Sequence, residues 1–286
     1  MSETTVGIIG GTGLYEMDGV GDLEEVRVET PYGETSDAIL EGRLGETRLL
    51  FLPRHGRGHR LSPSDVPYRA NIWAMKKLGA EWIMSVSAVG SLREEIRPGD
   101  VIIVDQFIDR TRRRESTFFD DGIVAHVEFA DPVCPTLREH LLASAREVGG
   151  TVHEKGTYCC MEGPAFSTRA ESNLYRKWGA HLIGMTNLPE AKLAREAEIC
   201  YATLALATDY DCWYEAGGDV HIEDILEVLA ANVARARAIL AKAIGGLPER
   251  GGCGCPDALR HAIVTDRRLV TDEVRDRLAP IAGRWL

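Results

Sequence analysis

At 286 residues, with 44% apolar and 27% charged side chains, the chain is long enough to bury a substantial core and too apolar for wholesale disorder. Its net charge of −11, from 33 basic and 44 acidic residues, disfavours nonspecific binding to nucleic acid or anionic lipid. No stretch approaches the roughly 20 uncharged apolar residues of a membrane span, and the polar start Met1-Ser2-Glu3-Thr4-Thr5 does not read as a secretory signal, so a cytoplasmic protein is expected.

Residues 6–10 form a short apolar run, a buried strand by its pattern, that enters Gly10-Gly11-Thr12-Gly13. A second run at 49–52 ends in Pro53-Arg54-His55-Gly56. Residues 67–78 place Ala70, Trp73, Ala74 and Leu78 at helical spacing, with Gly79 as the stop. A strand over 82–87 ends in Ala88-Val89-Gly90-Ser91, and Pro98-Gly99-Asp100 turns the chain into a strand over 101–104. Residues 105–133 show no clean period, and the arginines between Arg110 and Arg114 read as a solvated or subunit-contacting surface. Strands at 158–161, 182–185 and 203–208 follow, with helices between them. Thr168 and Glu171 have the spacing of a capping box, and Pro189 suits a first helical turn. The longest helix runs from about 222 to 244, with Ile222, Ile225, Leu226, Leu229, Val233, Ile239 and Leu240 on one stripe, until Gly245-Gly246 and Pro248 end it. Residues 1–246 read as one domain, and 247–286 as a C-terminal extension with a short helix capped by Thr271.

Strand–helix alternation implies an α/β layer fold, whose ligands gather beyond the carboxyl ends of strands. Thr12, Arg54, His55, Ser87, Met185, Thr186, Asp209 and Asp211 all stand there. The glycine turn lets backbone amides approach an anion. It lacks a third glycine in register, which argues against a nicotinamide site. Arg54, with a fork that grips phosphate at two points, and His55 combine with Thr12 and Ser87 into one oxyanion pocket. With no Walker-type lysine loop in the chain, the pocket suits free phosphate rather than a nucleotide. Asp209 and Asp211, at i and i+2, point the same way if the strand continues, and one acid beside another suits a carboxyl that shares a proton with a leaving group. Five of the seven cysteines sit in apolar segments and read as buried thiols. Cys253-Gly254-Cys255, with only His261 nearby, does not have the paired spacing of a zinc site, so no metal is expected.

Several stretches carry a family resemblance: Gly10-Gly11-Thr12-Gly13, Pro53-Arg54-His55-Gly56-Arg57, Gly90-Ser91-Leu92-Arg93-Glu94-Glu95-Ile96, Pro98-Gly99-Asp100, residues 105–111, Glu162-Gly163-Pro164, residues 169–172 and residues 207–213. From Ile8 to about Ile244 the chain resembles the 5′-methylthioadenosine phosphorylases of the purine nucleoside phosphorylase superfamily. The resemblance implies a single phosphorylase-like α/β domain with a central mixed sheet flanked by helices. It implies phosphate held by Thr12, Arg54, His55, Ser87, Ala88 and Thr186, and Phe166, Ser167 and Met185 against base and ribose. Asp209 and Asp211 would meet the purine edge. Ile222, Ile225 and Leu226 would close over a methylthio group, and His126 would reach the 5′ pocket of a neighbouring subunit in a homo-oligomer. Inorganic phosphate is then a co-substrate, and no further cofactor is implied.

The chemistry fits those residues. Phosphorolysis passes through a cation-like ribose, which a bound phosphate stabilises before attacking C1′. Adenine presents N7 as an acceptor and a 6-amino donor, which a carboxyl carrying one proton complements. Relatives acting on 6-oxopurines resemble this chain but look to carry Asn in place of Asp209 and Glu in place of Ser167. Three positions depart from the family pattern: Gly184 where Asn is frequent, Ala165 where Arg is frequent, and Ser87 for Thr. A 6-oxopurine nucleoside phosphorylase and a nucleoside-binding protein without turnover are the competing expectations.

Overall fold

Every residue of β1 (Thr5–Gly10) is buried, so its side chains meet apolar surface on both faces, the environment of a central parallel strand. In the computed structural model, which describes residues 3–11, 13–214 and 222–286 without the side chains of 22, 222–227 and 229, β1 pairs in parallel with β4 (Thr47–Pro53) and β5 (Trp82–Ser91). Across its other edge β5 pairs in parallel with β11 (Cys200–Asp209). These four strands put Gly10, Pro53, Ser87 and Asp209 at one end of the sheet.

An antiparallel hairpin, β2 (Gly21–Val26) and β3 (Ile39–Leu44), extends the sheet beyond β4. Beyond β11 lie antiparallel β6 (Val101–Ile103) and, parallel to it, β8 (Val152–His153). The far half of β5 also takes β10 (Leu182–Gly184), antiparallel at Gly90 and Ser91, and from there β9 (Thr157–Cys160) and β7 (Gln106–Asp109) continue in parallel. The sheet thus forks at β5, giving eleven strands and a mixed α/β architecture among the described residues.

Alternation along the strands feeds two cores. Ile9 and Ile83 point into one with α1 (Tyr68–Lys77), α4 (Asn187–Glu196) and α6 (Asp272–Ala282), while Ile8 and Met84 point into the other with α2 (Pro135–Val148) and α5 (Ile222–Gly245). Helix α3 (Arg169–Lys177) starts with the expected capping box: Thr168 Oγ1 accepts from Glu171 N, and Glu171 accepts from Thr168 N at 2.8 Å. Thr271 caps α6 by accepting from Val274 N. The stretch 247–286 does not hang free, since Leu259, Val270, Val274 and Leu278 lie in the first core and Cys255 in the second.

The segment 105–133, which has no clean period in sequence, nonetheless packs into the fold. It contributes β7 and buries Phe118, Phe119 and Ile123. The Arg114 side chain is only 1% exposed and donates to the carbonyls of Met185 and Leu188, both at 2.6 Å, so it clamps the loop after β10.

Candidate active site

The strand ends enclose a cavity of about 630 Å³, within the usual range for a small-molecule site. Arg54, His55, Ser87, Ala88, Phe166, Ser167, Met185, Thr186, Asp209 and Asp211 all line it, so ten positions singled out from sequence converge. Thr12 and the side chains of Ile222, Ile225 and Leu226 lie outside the described residues, although the α5 residue Val233 reaches the cavity wall. His126 is exposed and does not line the cavity; its N–H donates to Ala262 O in the C-terminal stretch.

At one end are donors and hydroxyls. Ser87 Oγ lies 3.2 Å from Tyr158 Oη and 3.3 Å from Thr186 Oγ1, and Thr186 N donates to Tyr158 Oη at 3.4 Å. Burial pushes the Tyr158 phenol up to about 12, so it stays protonated. Its position accounts for Gly184. A Cβ at residue 184 would collide with the Tyr158 hydroxyl and ring carbons, so a side chain there and this tyrosine exclude each other.

Arg54 is 3% exposed and its fork turns onto Glu190, with Nε to Oε2 at 2.7 Å and Nη2 to Oε1 at 3.0 Å. Nη2 also reaches Ser85 Oγ at 2.7 Å and Nη1 the carbonyl of Val86 at 3.1 Å. A guanidinium has five N–H donors, and these acceptors engage four, leaving one. Glu190 sits in the first turn of α4, where a carboxylate suits the helix dipole, and also accepts from Ser85 and Tyr201. Among the described residues Arg54 is the only Lys or Arg lining the cavity. His55 donates from Nδ1 to Leu61 O at 2.9 Å and stacks on His59 with ring centroids 4.2 Å apart. Burial, and then the Arg54 charge, lower its pKa to about 4, so the ring is neutral near pH 7 and Nε2 keeps its lone pair.

At the other end are two carboxyls. The pairing of β11 with β5 slips between Ala207 and Asp209, a bulge that brings Asp209 opposite Gly90. A Cβ on Gly90 would come within 3.0 Å of Asp209 Oδ1, so the glycine makes room for the carboxylate. The same-side geometry expected for Asp209 and Asp211 does not occur, because the strand stops at Asp209. Asp211 begins a short 3₁₀ turn with φ of 51°. Its backbone N–H instead donates to Asp209 Oδ1 at 2.8 Å, while Thr208 Oγ1 donates to Oδ2 at 2.7 Å. Burial, with the charge of Asp209 adding to it, raises the Asp211 pKa and so favours its protonated form. Its Oδ2 is buried without a hydrogen-bond partner among the described residues.

One cavity thus holds hydroxyl and imidazole groups at one end and two carboxyls at the other. Residues 5–245 match the Phosphorylase superfamily, and the chain belongs to that family. It is 57% identical to the S-methyl-5′-thioadenosine phosphorylase of Geobacter sulfurreducens, across 99% of this chain and 100% of that one. The enzyme of the same name from Hyperthermus butylicus is 52% identical across 91% of this chain and 95% of its own. A methylthioadenosine phosphorylase from an antarctic soil metagenomic library superposes with a TM-score of 0.93 at 48% identity, covering 98% of this chain and 99% of that one. The Schistosoma mansoni methylthioadenosine phosphorylase in complex with adenine gives 0.79 at 38%, covering 85% and 91%.

Sequence reasoning missed Tyr158, Glu190 and Arg114. Tyr158 is hidden in an apolar strand, and Glu190 looks like any helix-start acid until Arg54, 136 residues away, comes beside it. Arg114 is indistinguishable by sequence from the exposed arginines around it.

Proposed function

We propose that this chain catalyses phosphorolysis of S-methyl-5′-thioadenosine to adenine and 5-methylthioribose 1-phosphate. The observation that carries the reading is one cavity with hydroxyl and imidazole groups at one end and paired carboxyls at the other. Phosphate sits among Ser87, Thr186, the backbone at Ala88, and Thr12 of the glycine turn. The remaining Arg54 N–H reaches it, and the His55 Nε2 lone pair accepts from a phosphate O–H. The anion stabilises positive charge developing on the ribose and attacks C1′ as the base leaves. Phe166 and Ser167 lie along the base and Met185 along the ribose. Asp209 and Asp211 share one proton, which goes to N7, and the remaining carboxylate accepts from the 6-amino group. Phosphate is a co-substrate, and the chemistry calls for no organic cofactor or catalytic metal.

The methylthio group is assigned by the family resemblance to Ile222, Ile225 and Leu226, whose side chains lie outside the described residues, with His126 of a neighbouring copy completing that pocket. The exposure of His126, away from its own chain's cavity, supports a homo-oligomer with a shared site. No helix among the described residues is long and apolar enough to cross a membrane. The seven cysteines, all unbridged, suit a reducing compartment, and a cytoplasmic location goes with this reading.

A 6-oxopurine would set a carbonyl where the site accepts from an amine. With saturating phosphate, kcat/KM for methylthioadenosine should exceed those for methylthioinosine and inosine by about 10²-fold or more. Equal values would favour the oxopurine reading.

A further inference from the structure

Cys134, Cys200, Cys253 and Cys255 come from three separate parts of the chain. Cys134 is the N-cap of α2, Cys200 opens β11, and the other two flank Gly254 in the C-terminal stretch. Their four sulfurs lie within 4.8 Å of one another, and Cys200 Sγ and Cys253 Sγ are 3.5 Å apart. A tetrahedral zinc site with Zn–S bonds near 2.3 Å has sulfur–sulfur edges of about 3.8 Å. The cluster therefore needs only small side-chain adjustments to reach that geometry.

The surroundings fit as well. Cys134, Cys200 and Cys255 are buried, in the core that also holds Leu137 and Leu141, so competing water is excluded. Cys253 is half-buried and gives an entry path. Leu137 N donates to Cys134 Sγ at 3.5 Å, which fixes that sulfur at the start of α2, facing the other three. Four soft thiolates in a tetrahedral array select zinc over the hard, oxygen-seeking cations.

We propose that these four cysteines bind one zinc ion as a structural tetrathiolate site that pins residues 247–286 to the sheet. Binding displaces four thiol protons for each Zn²⁺ and involves no oxidation or reduction. Each sulfur trades a proton for a metal bond, and the complex carries a net charge of two minus. The site is remote from the strand-end cavity, whose lining includes none of the four, and it stands or falls apart from the proposed reaction. From sequence the turn looked like an isolated Cys-x-Cys, because its two other ligands lie far upstream.

The full chain, purified under reducing conditions without chelator, is analysed by inductively coupled plasma mass spectrometry, and the stripped protein is titrated with Co²⁺ alone. The expected result is one zinc per chain and, with cobalt, the thiolate-to-metal charge-transfer bands and intense visible absorption of a tetrahedral site, complete at one equivalent. The double variant Cys253→Ser, Cys255→Ser should lose both zinc and bands while the cavity residues are untouched. If that variant does not fold, the cobalt spectrum of the unaltered chain decides. Two outcomes would overturn the site: protein without zinc that gives no thiolate–cobalt bands, or an unreduced intact mass lower by the two hydrogens of each disulfide.

Discussion

Arg54, in the wall of the strand-end cavity, and Glu190 form a buried, two-point ion pair with N···O distances of 2.7 and 3.0 Å. A guanidinium placed as if to hold phosphate is first of all the partner of a buried carboxylate. Its charge is thus largely compensated before any ligand arrives, so in the proposed reaction the hydroxyl and amide donors would carry a larger share of the phosphate's binding.

Replacing Arg54 by Ala therefore does two things. Phosphate saturation weakens, and Glu190 is left buried without its counter-charge, at a cost of about 3–5 kcal/mol. Thermal denaturation should show a clear drop in midpoint alongside a raised phosphate KM. A variant that melts with the parent and differs only in phosphate KM would contradict the pairing.

Tyr158 and Gly184 are expected to behave as a coupled pair. Tyr158→Phe removes the phenol beside Ser87 and Thr186, worth about 0.5–1.5 kcal/mol. That is about a 2–12-fold rise in phosphate KM, with the nucleoside KM little changed. Gly184→Ala overpacks against the tyrosine and should cost about 1–3 kcal/mol. In a Tyr158→Leu background the same substitution should cost much less, as contacting sites are non-additive. Additive denaturation energies would refute the mutual exclusion.

Asp209→Asn should lower kcat on adenine nucleosides by about 10²–10⁴-fold, the worth of general-acid help, with an unchanged melting curve. Asp211→Asn assayed in parallel separates the roles. If Asp211→Asn alone abolishes turnover and Asp209→Asn stays near the parent, Asp211 alone supplies the proton and the shared-proton arrangement fails.

His55 makes stability depend on pH in a defined direction. Its pKa is about 4 in the fold and near 6.5 in an unfolded chain. Between those values the unfolded state binds the extra proton, so stability falls as pH drops from 6.5 towards 4. His55→Asn keeps a donor near the Leu61 carbonyl and removes this titration. Urea midpoints at pH 7 and pH 5 should converge more for the variant than for the parent. Identical losses in both would show that His55 is not held neutral.

Much of the site was legible because strand ends mark themselves: an apolar run followed by Gly11, by Arg54 and His55, or by Asp209. Local chemistry was legible too, as Thr168 with Glu171 shows, and the α5 end at Gly245 matches the reading from glycine stops. Where geometry departed from pattern the reading failed. The bulge before Asp209 and the positive φ of Asp211 turned two same-side acids into a backbone-linked pair. Long-range partnerships left no trace in spacing, whether Glu190 with Arg54 or Cys134 and Cys200 with the Cys253 turn. Strands β2, β3, β7 and β8 were missed: the first three mix charged and apolar residues without a clean alternation, and β8 has two residues.

In the proposed reaction phosphate, not water, takes the ribose. Incubating the full chain with methylthioadenosine, with and without inorganic phosphate, and identifying the products by mass spectrometry distinguishes the two. Adenine should appear only when phosphate is present, matched one for one by 5-methylthioribose 1-phosphate. Adenine formed at the same rate without phosphate, with free methylthioribose as co-product, would make the protein a hydrolase, and no adenine under either condition would leave it a nucleoside binder.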